Sequence, residues 1–150
     1  MKLKKILARK GYKAIKMKRL KTNHFMVKVT INNKTGRFIL DTGASNSCID
    51  VHDASKFDLL TNSSNTLAAG AGATNMKTHE SVNNSISLGK WQFHNFHLVL
   101  FDLSHVKSAL LQHGEPDIDG IIGADILLKG KAIIDYKKNR LYLKKMVYKY

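Results

Sequence analysis

Apolar and polar residues alternate cleanly over Phe25–Ile31, with Phe25, Val27, Val29 and Ile31 on one side. A period of two marks a strand with one buried face. Residues 32–36 (Asn-Asn-Lys-Thr-Gly) form a turn signal, and 37–40 the return strand. Another strand is predicted over 47–51, a short helix or turn over 53–60, and a polar loop over 62–65. Residues 85–88, a Gly89-Lys90 turn and Trp91–Phe101 predict a further strand pair. Helical spacing is sparse. Leu3, Ile6 and Leu7 predict two turns ending at Gly11, a C-cap. Val106, Ala109 and Leu110 mark a helix over Ser104–Gln112, and Ala124–Lys129 is a short one. Residues 12–20, 120–123, 132–136 and 141–147 complete the strands. Many short strands with few short helices give a mostly β chain.

One of these strands ends in an unexpected residue. Phe38-Ile39-Leu40 run straight into Asp41-Thr42-Gly43-Ala44-Ser45. A carboxylate where an apolar strand meets the core needs a partner or a task. About 80 residues later comes Gly120-Ile121-Ile122-Gly123-Ala124-Asp125, a short apolar strand, a glycine and a helix start. Asp-Thr-Gly-Ala followed at that distance by two apolar residues and Gly resembles the retropepsin-like aspartic proteases. These are the single-domain relatives of pepsin and of the retroviral proteases. The resemblance covers about residues 24–145.

The resemblance implies an acid protease barrel, one lobe per chain, with the short helix following Ile-Ile-Gly. It implies an aspartic endopeptidase in which two carboxylates share one proton and activate a water. The chain has a single Asp-Thr-Gly. The dyad is therefore expected from a homodimer, with Asp41 supplied by each copy. Thr42 would brace the two loops across the dimer, and Gly43 would let substrate backbone approach. Ala44, Ile121, Ile122 and Gly123 would support the catalytic loop. Ser45 and Asn46 fall at substrate-contacting positions, and Gly70-Ala71-Gly72-Ala73 takes the place of the flap. Two positions depart from the retroviral pattern. Ala124 stands where those enzymes carry Arg, and Ser45 where they carry its acidic partner. The alternative is a non-catalytic module of the same fold that binds a peptide, or an anionic surface through the basic N-terminus.

Composition adds a strong asymmetry. Residues 1–40 hold thirteen Lys/Arg and no acid, whereas 41–150 hold twelve Lys/Arg and eleven Asp/Glu. Residues 1–22 are expected to be a basic extension to a domain spanning 23–150. The ten cations of 1–21 could hold an anionic partner, nucleic acid or a membrane surface. Arg9-Lys10 interrupt the N-terminal apolar residues before a signal-like core forms, and no run reaches transmembrane length. A lone cysteine, Cys48, fits a reducing compartment, so the expectation is cytoplasmic. Cys48 with His52 is read as a buried small residue and a bystander, not as nucleophile and base. No metal or cofactor is expected. Glu115, Asp117 and Asp119 lack the other ligands of a calcium loop. His94 and His97, three apart on a strand, should face opposite ways. Asp125 is expected to cap its helix.

Overall fold

A computed structural model describes residues 2–70 and 73–146, and the side-chain environments of these outside 63–77. The strands are β1 (Tyr12–Lys16), β2 (Lys18–Arg19), β3 (Phe25–Ile31), β4 (Lys34–Leu40), β5 (Cys48–Asp50) and β6 (Asn62–Gly70). They continue with β7 (Ala73–Leu88), β8 (Trp91–Phe101), β9 (Gly120–Ile122), β10 (Ile133–Asp135) and β11 (Arg140–Lys144). The helices are α1 (Leu3–Arg9), α2 (Ser104–Gln112) and α3 (Ala124–Lys129). Pairing runs β3-β4-β9-β5-β8-β7 and returns from β7 to β3 through Thr30↔Ser87 and Ile31↔Ile86. This closes a six-strand barrel in a single lobe. Closure hides most sheet edges. Among the described residues, β2 and β6 extend that sheet.

The alternation read from 25–31 is the barrel wall. Phe25, Val27, Val29 and Ile31 are buried, while Lys28 is exposed and Met26 and Thr30 are intermediate. The predicted five-residue turn is tighter than expected. Asn32 and Asn33 take it alone, at φ 50° and 68°. Two successive left-handed residues make the hairpin turn that suits strand twist, and Asn tolerates that conformation. The core joins Phe38, Ile49, Phe57, Trp91, Leu98 and Leu100. Each such fully buried side chain contributes about 1.5–3 kcal/mol.

Two expectations are corrected. The 62–65 loop is strand, with Asn62↔Glu80, Ser63↔His79 and Ser64↔Thr78 paired. Ladder bonds belong to the backbone, so a polar stretch can pair without apolar alternation. The short helix or turn expected over 53–60 is a pair of single 3₁₀ turns, Val51–Asp53 and Ser55–Phe57, ended by Asp58 at φ 53°. His94 and His97 are both exposed, while Phe96 is buried and Phe93 intermediate. Asn95 at φ 58° sits in a register shift between Asn84 and Ile86. This bulge adds a residue and breaks strict alternation. The two rings go to different partners, His94 to the Ser85 hydroxyl and His97 to Glu80.

The basic N-terminal residues are woven into the body. β1 pairs along β11 from Tyr12↔Lys144 to Lys16↔Arg140, and β10 flanks β11 on its other side. Leu20 is buried, and the Lys21 N–H donates to Glu115 at 2.6 Å. Arg19 donates to the Tyr136 carbonyl at 2.8 Å and lies over the Phe25 and Tyr136 rings. No helix among the described residues is long and apolar enough to cross a membrane.

Candidate active site

Strand order builds the site. β9 lies between β4 and β5, parallel to the first and antiparallel to the second. The connection 41–47 must therefore cross the C-terminal end of β9, where Gly123 stands. The Asp41 N–H continues the β4 ladder by donating to the Ile122 carbonyl at 2.9 Å. Beyond it the chain turns back on itself. The Gly43 N–H donates to Asp41 Oδ1 at 2.9 Å, and the Ala44 N–H to the Asp41 carbonyl at 3.2 Å. Asp41 is half-buried, Thr42 and Gly43 are exposed, and Ala44 is buried. The second Asp41 carboxylate oxygen takes no protein donor among the described residues, and neither does the Thr42 hydroxyl find a partner there.

Gly123 is required by the crossing itself. A Cβ there would stand 2.6 Å from the Ala44 carbonyl oxygen and 2.9 Å from the Asn46 backbone. Its own backbone is extended, so space and not dihedral preference demands glycine. Ile121 and Ile122 are buried behind the loop. Ser45 and Asn46 are exposed on its outer side. Gly70 and Ala73 face each other at the end of the β6–β7 hairpin. Ala71 and Gly72 lie outside the described residues.

A pair that sequence reasoning missed locks the loop to α3. Ser47 is fully buried. Its hydroxyl donates to Asp125 Oδ1 at 2.7 Å and accepts from the Gly123 N–H at 2.9 Å. Its own N–H donates to Asp125 Oδ2 at 2.9 Å. The Ala124 N–H adds a bond to the Ala44 carbonyl at 2.7 Å. Asp125 thus sits inside the first turn, with Gly123 at the N-cap, though its Oδ1 also accepts from the Ile126 N–H at 2.8 Å. These bonds join the segments that retroviral enzymes would link through the residues replaced here by Ala124 and Ser45. The signal was available in Ser47, a hydroxyl just ahead of the apolar Cys48-Ile49.

The other titratable groups are engaged elsewhere. Cys48 is 2 % exposed, and burial pushes its thiol up to about 12; the nearby Asp125, Asp41 and Asp50 charges push the same way. His52 turns to Asp102, at 3.8 Å, and not to the thiol. Glu115 accepts from Lys21, Asp117 from the Ile118 N–H, and Asp119 from Arg37 N–H and the Lys56 ammonium. Each is thus engaged with its own protein partners. Asp50, His52 and Asp102 do bring ligand atoms within 4.8 Å of one another. The Lys107 ammonium already sits 2.7 Å from Asp50 and 3.1 Å from Asp53, so a cation there would meet a like charge. Ser104 holds Asp102, through its hydroxyl and then its N–H, and lowers that carboxyl below its ordinary value.

The Lys107 pair makes a stability prediction. Burial alone lowers the ammonium, but hydrogen bonds and charge from Asp50 and Asp53 outweigh it, and the net shift is upward. The stabilisation is then complete below about pH 10.4 and lost as pH rises through the folded-state value. Lys107→Met leaves the Asp50 carboxylate, 2 % exposed, with the His52 N–H but without its ammonium partner. The expected cost is about 1–3 kcal/mol at neutral pH, toward the lower end because the Lys107 side chain is 21 % exposed. Urea denaturation of both proteins checks it. The gap should narrow above about pH 10.4; equal stabilities at neutral pH would refute it.

A closed single-lobe barrel, with an Asp-Thr-Gly connection crossing an Ile-Ile-Gly strand, is the retropepsin-like fold. The aspartyl protease family model matches residues 27–126, which is 100 of the 150 residues, and the chain belongs to that family. A retropepsin-like aspartic protease from Rickettsia conorii superposes with TM-score 0.57 at 25 % identity, covering 90 % of each chain. The retroviral protease-like domain of Ddi1 from Leishmania major superposes with TM-score 0.54 at 20 % identity, covering 81 % of this chain and 88 % of that one. EIAV protease complexed with the inhibitor HBY-793 gives TM-score 0.53 at 19 % identity, covering 73 % and 90 %. No curated protein sequence matches the chain.

Proposed function

We propose that the protein is an aspartic endopeptidase that works as a homodimer, with Asp41 of each copy forming the catalytic dyad. The observation that carries this is the half-built site: a carboxylate at the end of a barrel strand, one oxygen bonded to Gly43, in a chain with one Asp-Thr-Gly. Two like charges in contact cannot both ionise, so the pair holds one proton. The ionised carboxylate takes a proton from water while the protonated one hydrogen-bonds the scissile carbonyl. Water oxygen adds to the carbonyl carbon. The C–N bond then breaks as a proton passes to the leaving amine.

Thr42, exposed and without a hydrogen-bond partner among the described residues, is assigned to brace the twin loop. Gly43, Ser45 and Asn46 are assigned to substrate, with the β6–β7 hairpin, residues 70–73, as the flap. The buried unpaired Cys48 fits a reducing compartment, and we place the protein in the cytoplasm.

Because each chain carries half a site, specific activity on a peptide library should fall once the protein is diluted below its dimer dissociation constant. Sedimentation at the same concentrations should show monomer appearing as activity disappears. A monomer that cleaves at full rate would end the half-site account. A stable dimer that binds peptides and cleaves none would leave the non-catalytic binding module in its place.

A further inference from the structure

Helix α1 and the β10–β11 hairpin border an open pocket of about 410 Å³. Lys2, Lys4, Lys137, Lys138 and Arg140 line it, against a single acid, Asp135. That carboxylate already accepts the Lys137 and Lys138 N–H groups, at 2.9 and 3.0 Å. None of the five cations has an ion-pair partner among the described residues. Two segments more than a hundred residues apart therefore converge on one cavity with uncompensated positive charge. Such a concentration repels itself and attracts an anion. Tyr142 lines the same pocket, and its buried hydroxyl has no hydrogen-bond partner among the described residues.

The surroundings indicate where the anion comes from. Leu3 and Ile6 on α1 are 44 % and 39 % exposed, and Leu3 itself lines the pocket. Lys4, Lys5, Arg9 and Lys10 are exposed around them. A nucleic acid backbone or free phosphate would satisfy the cations but leave these apolar side chains in water. An anionic bilayer satisfies both, since apolar side chains enter the acyl boundary while cations meet headgroups. We propose that the pocket takes the phosphate of an anionic phospholipid headgroup, with Leu3 and Ile6 entering the bilayer beside it. This site stands apart from Asp41 and does not depend on peptidase activity.

The test uses the full chain and vesicles of phosphatidylcholine, with or without phosphatidylserine, at low and high salt. Binding is expected to phosphatidylserine vesicles alone, and to weaken as salt rises. The double variant Lys137→Ala/Lys138→Ala changes an exposed turn whose bonds to Asp135 are made by backbone. It should bind about thirtyfold more weakly, from about 1 kcal/mol per cation near the surface. Lys28→Ala/Lys34→Ala removes the same charge from residues that do not line the pocket and should change binding by no more than about threefold. Leu3→Gln should weaken vesicle binding without changing thermal stability. Equal losses in the two double variants would show diffuse charge only and overturn the pocket. Retention of RNA or inorganic phosphate, without vesicle binding, would overturn the lipid.

Discussion

Asp41→Asn is expected to cut peptide hydrolysis by at least about a thousandfold, toward the upper part of what a general acid–base group contributes. Asn fills the same volume and can still accept the Gly43 N–H. It can neither hold the shared proton nor take one from water. Fold and dimer should persist, so circular dichroism and sedimentation should match the wild type while turnover disappears. A variant that cleaves at the wild-type rate would remove Asp41 from the chemistry, whatever the fold. The comparison is sharp because Asp41 belongs to no ion pair among the described residues, and its loss strands no partner charge.

Gly123→Ala should damage both stability and activity. The added methyl meets the Ala44 carbonyl and the Asn46 backbone, and these are main-chain atoms with little room to yield. Overpacking of this kind costs about 1–3 kcal/mol. The strain falls on residues 44–46, which the Ser47–Asp125 bonds hold in place from the other side. The loop that carries Asp41 must therefore shift. A displacement of order 1 Å at a reacting group costs about a hundredfold in rate. Thermal melting and turnover should fall together. A Gly123→Ala protein with wild-type melting and wild-type turnover would mean that the crossing is looser than the distances indicate.

Much of this was legible in the sequence because it is local. The 25–31 alternation, the Asp-Thr-Gly strand end and the spacing of α2 and α3 each fit within a dozen residues. What escaped depends on distance. The β3–β7 contact that closes the barrel joins Ile31 to Ile86, and nothing near either residue announces the other. Ser47 and Asp125 are far apart in sequence, so Ser47 showed only a hydroxyl ahead of an apolar pair and Asp125 only a helix cap until the crossing brought them together. The same holds for Lys107 with Asp50 and Asp53. β6 escaped for a different reason: the hydrophobic period reports burial, and its first residues pair through backbone with no such pattern. The bulge at Asn95 hid in a strand whose period otherwise held.

The central claim is that two copies of this chain make one catalytic centre. Its most direct measurement is an experimental structure of the protein at a concentration where it cleaves peptide. The account predicts a two-fold dimer with the two Asp41 carboxylates in hydrogen-bond contact across the axis, and Thr42 of each copy bonded to the opposite loop. An active monomer, or an active dimer whose Asp41 side chains lie in separate cavities, would contradict it.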